Sequence, residues 1–575
     1  VFTVSGDQLD NTINIAADAT GNLIVNGGVV LIFGGAPTVA NTTLIRLLGN
    51  RGNDTLQVLG ALPAAVINGG PGNDTLAGGD GADTLFGGGG NDAVDGNKGD
   101  DIAFLGLGND TFTWDPGDGN DRIEGESGQD RMVFNGANLN EVFEFLANGT
   151  RLKFTRDLGN IIMDVGGVET VDVNALGGVD KITVNNLAAT AVRQINLNLS
   201  GTPGGAVGDG LADQVILNGT ALNDIVTVAG TGTSATASGL PATVSLGAAD
   251  PGDSLTVNTL GGHDKVTATG LVAGVLQFTA DGGDGNDSLF GSQGADNLLG
   301  EAGNDFIFGD NGDDNAFMGA GNDTFQWDPG DGNDTLEGQD GTDRMLFNGA
   351  NGSENIDISA NGQRVRFFRN VGSVTMDLND VERIDFNAKG GVDNIVVHDL
   401  TGTDVNDIRL DLGANPGVAG GDGAPDSVLI EGTNGNDAVT VATVMGHTHV
   451  TGLAARVMIL SAEAQTDQLT VSGQGGDDSL QAGTLAVTGP LLTLDGGAGN
   501  DRLGGSAGDD VLLGGDGNDT VLGQAGDDLI DAGAGDDSIA GGAGEDILNG
   551  GDGTDSIDGG AGLDVAFFGE VVVNV

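Results

Sequence analysis

Aspartate recurs every nine positions through three stretches of this 575-residue chain, each time inside the same phrase. From Gly69 the sequence runs GGPGNDTLA, GGDGADTLF, GGGGNDAVD, GNKGDDIAF and LGLGNDTFT, a pattern GGxGxDxUx in which U is a large apolar residue. The sixth-position residues are Asp74, Asp83, Asp92, Asp101 and Asp110; two residues are then inserted at 114–116, and Asp121 and Asp130 follow. A second block carries Asp287, Asp296, Asp305, Asp314 and Asp323, the same insertion, then Asp334 and Asp343. The third has no insertion and carries Asp501, Asp510, Asp519, Asp528, Asp537, Asp546, Asp555 and Asp564. Twenty-two copies in phase define a repeat architecture before any other feature is considered.

A much longer period is superimposed, relating Asp74 to Asp287 and, by the same offset, Trp114 to Trp327. It divides the chain into partial coils at 1–68, nonapeptide blocks at 69–134, 282–347 and 496–567, longer-repeat segments at 135–281 and 348–495, and an apolar strand or cap at 568–575. The longer segments read strand, GGxD turn, strand, as in VETVDVNALGGVDKITV (168–184) and VERIDFNAKGGVDNIVV (381–397). β-Branched residues in alternation, bounded by Gly and Asn, specify strands. No segment has a helical period, so the fold class is all-β.

Six residues with three glycines cannot hold a helix and permit turns at positive φ. The other three make a short strand with its central apolar side chain inward. Two nonapeptides then close one coil. One edge stacks Asp501, Asp519, Asp537 and Asp555, the other Asp510, Asp528, Asp546 and Asp564, over a core of Leu503, Leu512, Val521, Ile530, Ile539, Leu548, Ile557 and Ala566. Carboxylates about 5 Å apart repel by roughly 3 kcal/mol at an effective dielectric near 20. A hard divalent cation between turns reverses that sign, and an oxygen-only donor set favours calcium over zinc or copper.

Composition narrows the partners. With 20 Lys+Arg against 84 Asp+Glu the formal charge is −64, which disfavours nucleic acid and anionic membrane surfaces. There is no Cys, hence no disulfide or thiolate ligand. No apolar run is long enough to span a bilayer as a helix. The chain starts at Val1 with no basic segment leading into an apolar stretch, consistent with a removed leader or an internal start.

The nonapeptide blocks resemble the haemolysin-type calcium-binding repeats of secreted RTX proteins. The resemblance implies a right-handed parallel β-roll solenoid, calcium between turns n and n+2, export of an unfolded chain by a type I system, and folding outside the cell. The ligands it implies are the twenty-two aspartates named above. Stacks of seven, seven and eight turns would hold about sixteen ions, or about twelve if the inserted Trp114 and Trp327 segments interrupt them. Leu105 and Met318 replace the first glycine of their repeats, and Asn97 and Ser292 the second, so those turns are expected to be distorted.

Other features read more plainly. Asp180, Asp264 and Asp393 lack the second half of the motif and read as Asx-type turns ahead of calcium sites. The same holds for GDGLAD around Asp209 and Asp213 and GDGAPD around Asp422 and Asp426. Trp114 and Trp327 are expected as plugs over the stack. Gly504-Gly505-Ser506-Ala507-Gly508 matches a nucleophile-elbow pattern but lies in phase within a nonapeptide turn, so no catalytic residue is assigned. His447 and His449 alternate along a strand without a third ligand, a weak zinc signal.

The functional expectation is a secreted, non-enzymatic, calcium-binding structural protein at the cell surface or beyond it. Apolar residues at both ends of the repeat pattern point to head-to-tail self-association into a filament, surface layer or matrix. The alternatives are a spacer or adhesin segment of a larger surface protein, an ice-binding solenoid, or an enzyme accessory region. The fifth-position mixture of Asn73, Ala82, Asn91 and Asp100 breaks the row an ice-binding face needs.

Overall fold

The structure is a computed structural model that describes residues 1–30, 32, 35–464, 466–568 and 571–574. It falls into two compact units, Val1–Asp284 with Phe290–Ala295, and Gly285–Leu289 with Asp296–Val575. The fold is all-β, a parallel β-solenoid in each unit; the only helical turns among the described residues are two three-residue 3₁₀ segments, Asn26–Gly28 and Val371–Ser373.

In the second unit the expected coil is present. Val511, Leu529, Ile547 and Val565 are successive partners in one parallel ladder, and Thr520, Ser538 and Ser556 in the other, every step being two nonapeptides. The central apolar residue of each strand faces inward: Leu503, Leu512, Val521, Ile530, Leu548 and Ala566 are fully buried and Ile539 nearly so, whereas Ile557 is half-exposed. The first unit repeats this register, with Ile102 paired to Thr84.

The glycine pattern follows from how closely coils stack. A Cβ on Gly517, at φ +129°, would lie 1.8 Å from the carbonyl oxygen of Gly499 in the coil before it. A Cβ on Gly514 would lie 2.3 Å from the carbonyl oxygen of Ala532 and 2.5 Å from Oδ2 of Asp519. The second position is more forgiving: Asn97, Glu126 and Gln524 occupy it at φ of 55°, 68° and 76°. Asn97 keeps its turn by accepting the left-handed conformation and donating from Nδ2 to the carbonyl of Gly78.

The longer segments differ from a plain parallel stack. Their coils take far more chain, as between Gln194 and Thr243, yet adjacent strands still pair. The surplus forms three-stranded antiparallel meanders set into the ladders. In the first unit Val142–Asn148, Arg151–Arg156 and Ile161–Gly166 form one; its outer strands pair in parallel with Lys181–Val184 and Arg122–Ser127. Ile225–Thr231, Ser234–Ser238 and Thr243–Gly247 form another. The second unit repeats both, at Asn355–Asn361, Arg364–Arg369 and Val374–Asn379, and at Ala438–Val444, His447–Thr451 and Arg456–Leu460.

The tryptophans are not plugs. Trp114 is fully buried and stacks on Phe134 at 4.0 Å; Trp327 does the same on Phe347. Each indole Nε1 donates to a carbonyl five residues on, Gly119 or Gly332, at 3.0 Å, and so closes the inserted loop outside the coil. Arg156 and Arg369 lie over these rings, 5.4 Å from the centroids, and form buried ion pairs with Glu141 and Glu354.

Candidate metal centre

Each turn edge carries two hydrogen-bonded ladders running in opposite senses. In the inner one, the backbone N–H of a sixth-position aspartate donates to Oδ1 of its counterpart one coil later. In the third block this links Asp501 to Asp519 and Asp519 to Asp537 at 2.7 Å, then Asp537 to Asp555 at 3.2 Å. The opposite edge links Asp510, Asp528, Asp546 and Asp564 at 3.0–3.1 Å. In the outer ladder the fifth residue donates backward, from Asn518 to Oδ1 of Asn500 and from Asp536 to Oδ1 of Asn518, and these side chains are exposed.

The first block shows the same inner chains, Asp74 to Asp92 to Asp110 to Asp130 and Asp83 to Asp101 to Asp121. The second shows Asp287 to Asp305 to Asp323 to Asp343 and Asp296 to Asp314 to Asp334. The steps into Asp121, Asp130, Asp334 and Asp343 span 20 residues and hold at 2.9 Å, so the insertions loop out without interrupting the ladder.

All the sixth-position aspartates of the three blocks are buried, at 3% exposure or less, except Asp555, which is half-buried. Their geometry leaves one oxygen unsatisfied. Oδ1 takes the neighbouring N–H, while Oδ2 turns back over the first position of its own repeat where that position is glycine, as in Gly69 beside Asp74 and Gly514 beside Asp519. In Asp74, Asp92, Asp101, Asp110, Asp121, Asp130, Asp305, Asp314, Asp323, Asp334 and Asp343 that oxygen is buried without a partner. So it is in Asp501, Asp519, Asp528, Asp537, Asp546 and Asp564. Asp83 and Asp510 differ: their Oδ2 accepts the N–H of Gly79 and of Ser506.

A buried carboxylate with a bare oxygen is unfavourable as an anion. Burial, reinforced by the aspartates above and below, pushes the carboxyl of Asp92 up to about 7, Asp101 to about 8 and Asp314 to about 9. The backbone N–H each accepts opposes the shift without cancelling it. Two things can neutralise such an oxygen, a proton or a cation. The donors here are carboxylate and backbone carbonyl oxygens, with no sulfur and no imidazole, which suits a hard ion such as calcium. Among the described residues no three His, Cys, Asp or Glu side chains gather as a ready-made metal site. An ion would therefore complete its shell with carbonyls of the stacked turns.

Ser506 is buried, and its Oγ donates to Oδ1 of Asp510 at 3.0 Å; it shapes a turn rather than standing on a strand-to-helix elbow. His447 and His449 do lie on one face of the strand His447–Thr451. Burial, with Arg456 and His447 nearby, holds the His449 imidazole below its usual range. Asp180, Asp213, Asp393 and Asp426, read from sequence mainly as turn residues, are buried members of the inner ladder. Their wide and unequal spacings in the chain hid that relationship, while the glycine two places before Asp180 and Asp393 was the available signal.

The model of the RTX calcium-binding nonapeptide repeat matches residues 66–94, 78–112, 117–138, 281–316, 290–325, 330–353, 495–530, 504–539 and 531–566. No curated protein sequence matches the chain. Among the described residues no helix is long and apolar enough to cross a membrane. Buried aspartate ladders with bare oxygens fall where the repeat model matches, and the three blocks are therefore RTX calcium-binding nonapeptide repeats.

Proposed function

We propose that this is a secreted, non-enzymatic structural protein whose solenoid forms when calcium enters the aspartate ladders, and which then self-associates outside the cell. The observation that carries the reading is the row of buried Oδ2 atoms without partners. The twenty-two sixth-position aspartates would hold the ions, sharing each between stacked turns with backbone carbonyls. Because the ladder passes the Trp114 and Trp327 insertions, the larger number, about sixteen ions, is preferred over about twelve. In cytosol, where calcium is scarce, mutual repulsion keeps the chain open for export; at extracellular calcium, binding becomes folding free energy.

Self-association follows from the same neutralisation. About sixteen divalent ions would halve the formal charge of −64 and so cut the repulsion between two such molecules to about a quarter. Far-UV circular dichroism during a calcium titration tests the folding step. The expected result is a coil-like spectrum converting to β, reversal by EGTA, and little response to magnesium. A β spectrum unaffected by chelator at neutral pH would overturn it. Light scattering tests the second step; a monodisperse monomer in millimolar calcium would refute assembly and leave calcium-driven folding intact.

A further inference from the structure

We propose that calcium is also held at four turns outside the nonapeptide blocks, those of Asp54, Asp180, Asp393 and Asp478. This rests on the calcium reading of the blocks themselves. None of the four falls within residues matched by the repeat model.

Each aspartate stands in the inner ladder as a nonapeptide aspartate does. Asp54 N–H donates to Oδ1 of Asp74 at 2.7 Å, and Asp478 N–H to Oδ1 of Asp501 at 2.7 Å, so the blocks' ladders begin before the blocks do. Glu141 N–H donates to Oδ1 of Asp180 and Asp180 N–H to Oδ1 of Asp213, both at 2.8 Å. Glu354, Asp393 and Asp426 repeat this at 2.7 and 2.9 Å in the second unit. The four side chains are 2% exposed or less, and in each Oδ2 has no hydrogen-bond partner. Nor does any Lys, Arg or His form an ion pair with them among the described residues.

The ladder also shows how it behaves when the chain supplies its own cation. Glu141 and Glu354 occupy rungs next to Asp180 and Asp393, and there a buried guanidinium, Arg156 or Arg369, pairs with the carboxylate. At Asp180 and Asp393 the neighbouring group is instead another acid. Asp209 and Asp422 are drawn in by the N–H groups of Gly178 and Gly391, which donate to their Oδ2 at 2.9 and 2.8 Å. The same arrangement, built once in each copy of the long period, places acidic oxygen donors beside a bare carboxylate oxygen, while the nearby guanidinium of Arg156 or Arg369 is committed to Glu141 or Glu354 and forms no ion pair with the aspartate. A divalent cation with an oxygen shell supplies what is missing.

Bound calcium per chain, measured by elemental analysis after equilibrium dialysis in buffered millimolar calcium, tests this. Asn at these positions keeps Oδ1 as an acceptor and removes the charge. The full-length D54N/D180N/D393N/D478N variant should bind about four fewer ions than the parent, one per turn. An unchanged count with an intact β spectrum overturns the proposal. D519N/D537N, inside the third block, serves as the reference. A loss there alone refutes the four extra turns and spares the calcium reading, whereas a parent that binds no calcium refutes the reading itself. Should the quadruple variant not fold, the D54N/D180N pair is measured alone; about two ions lost supports the proposal and none lost overturns it.

Discussion

The backbone N–H of Asp519 donates to Oδ1 of Asp537 at 2.7 Å, across one full coil. The aspartate therefore does two jobs with two oxygens. Oδ1 satisfies a backbone group that would otherwise be buried unpaired, and Oδ2 is left for something the chain does not contain.

Substitutions at Asp519 should separate those jobs. Asp519→Ala strips the acceptor from the N–H of Asp501, a buried donor whose orphaning costs about 1–3 kcal/mol. Asp519→Asn keeps the acceptor and removes only the charge. In saturating calcium the Ala variant is expected to melt well below the Asn variant. Without calcium the Asn variant is expected to exceed the parent in residual β structure. Equal melting of the two variants would show that the ladder hydrogen bond contributes nothing.

The ion-free chain should fold better in acid than at neutral pH. In the folded state burial raises Asp74 and Asp519 to about 6, Asp528 to about 7 and Asp101 to about 8, all above the unfolded carboxylate range. The folded state therefore binds more protons than the unfolded one through that interval. Stability from these groups is fully present below about pH 4 and is lost as pH rises through about 6 to 8. Circular dichroism in EGTA should show β structure in mild acid and its loss in mild base, with calcium abolishing the difference. A spectrum that loses β structure on acidification instead would contradict the raised carboxyl values.

The period was fully legible where it is short. Nine residues with three glycines and one inward apolar residue leave one way to stack, and the two-repeat register follows. The meanders were hidden, because a coil as long as the one from Gln194 to Thr243 does not say where its surplus goes. One clue was present. Gly149 and Gly362, at φ +65° and +70°, open the two-residue hairpin loops that follow Asn148 and Asn361. At the site, the sixth-position aspartates were legible as a class, but not their burial or the division of labour between their oxygens. Those depend on Oδ2 lying over the first glycine, a contact between residues five apart that periodicity cannot express.

Glycine positions should differ sharply in tolerance. Gly517→Ala places a methyl 1.8 Å from the Gly499 carbonyl oxygen at φ +129° and forces neighbouring coils apart. Gln524→Gly, at a second position where φ is already +76°, relaxes the backbone and gives up only the hydrogen bond that Nε2 donates to the Gly505 carbonyl oxygen at 2.6 Å. Thermal melting in millimolar calcium is expected to fall by many degrees for the first and by little for the second. Similar behaviour of the two would mean that carbonyl stacking does not set the glycine pattern.

The buried pair Arg156–Glu141 is expected to act as the first unit's internal cation site. Both side chains are 5% exposed or less, and Arg156 also covers the Trp114 ring. Arg156→Met leaves Glu141 buried with an uncompensated charge, a loss of about 3–5 kcal/mol. Adding Glu141→Gln removes that charge while retaining an acceptor for the N–H of Ala137, so the double variant should recover much of the stability. Calcium should not rescue the single variant fully, because Met fills the space the guanidinium occupied. Tryptophan fluorescence during urea unfolding in saturating calcium reports the first unit through Trp114 in a Trp327→Phe background. A double variant no more stable than R156M would show that the loss comes from packing over the indole and not from the stranded carboxylate.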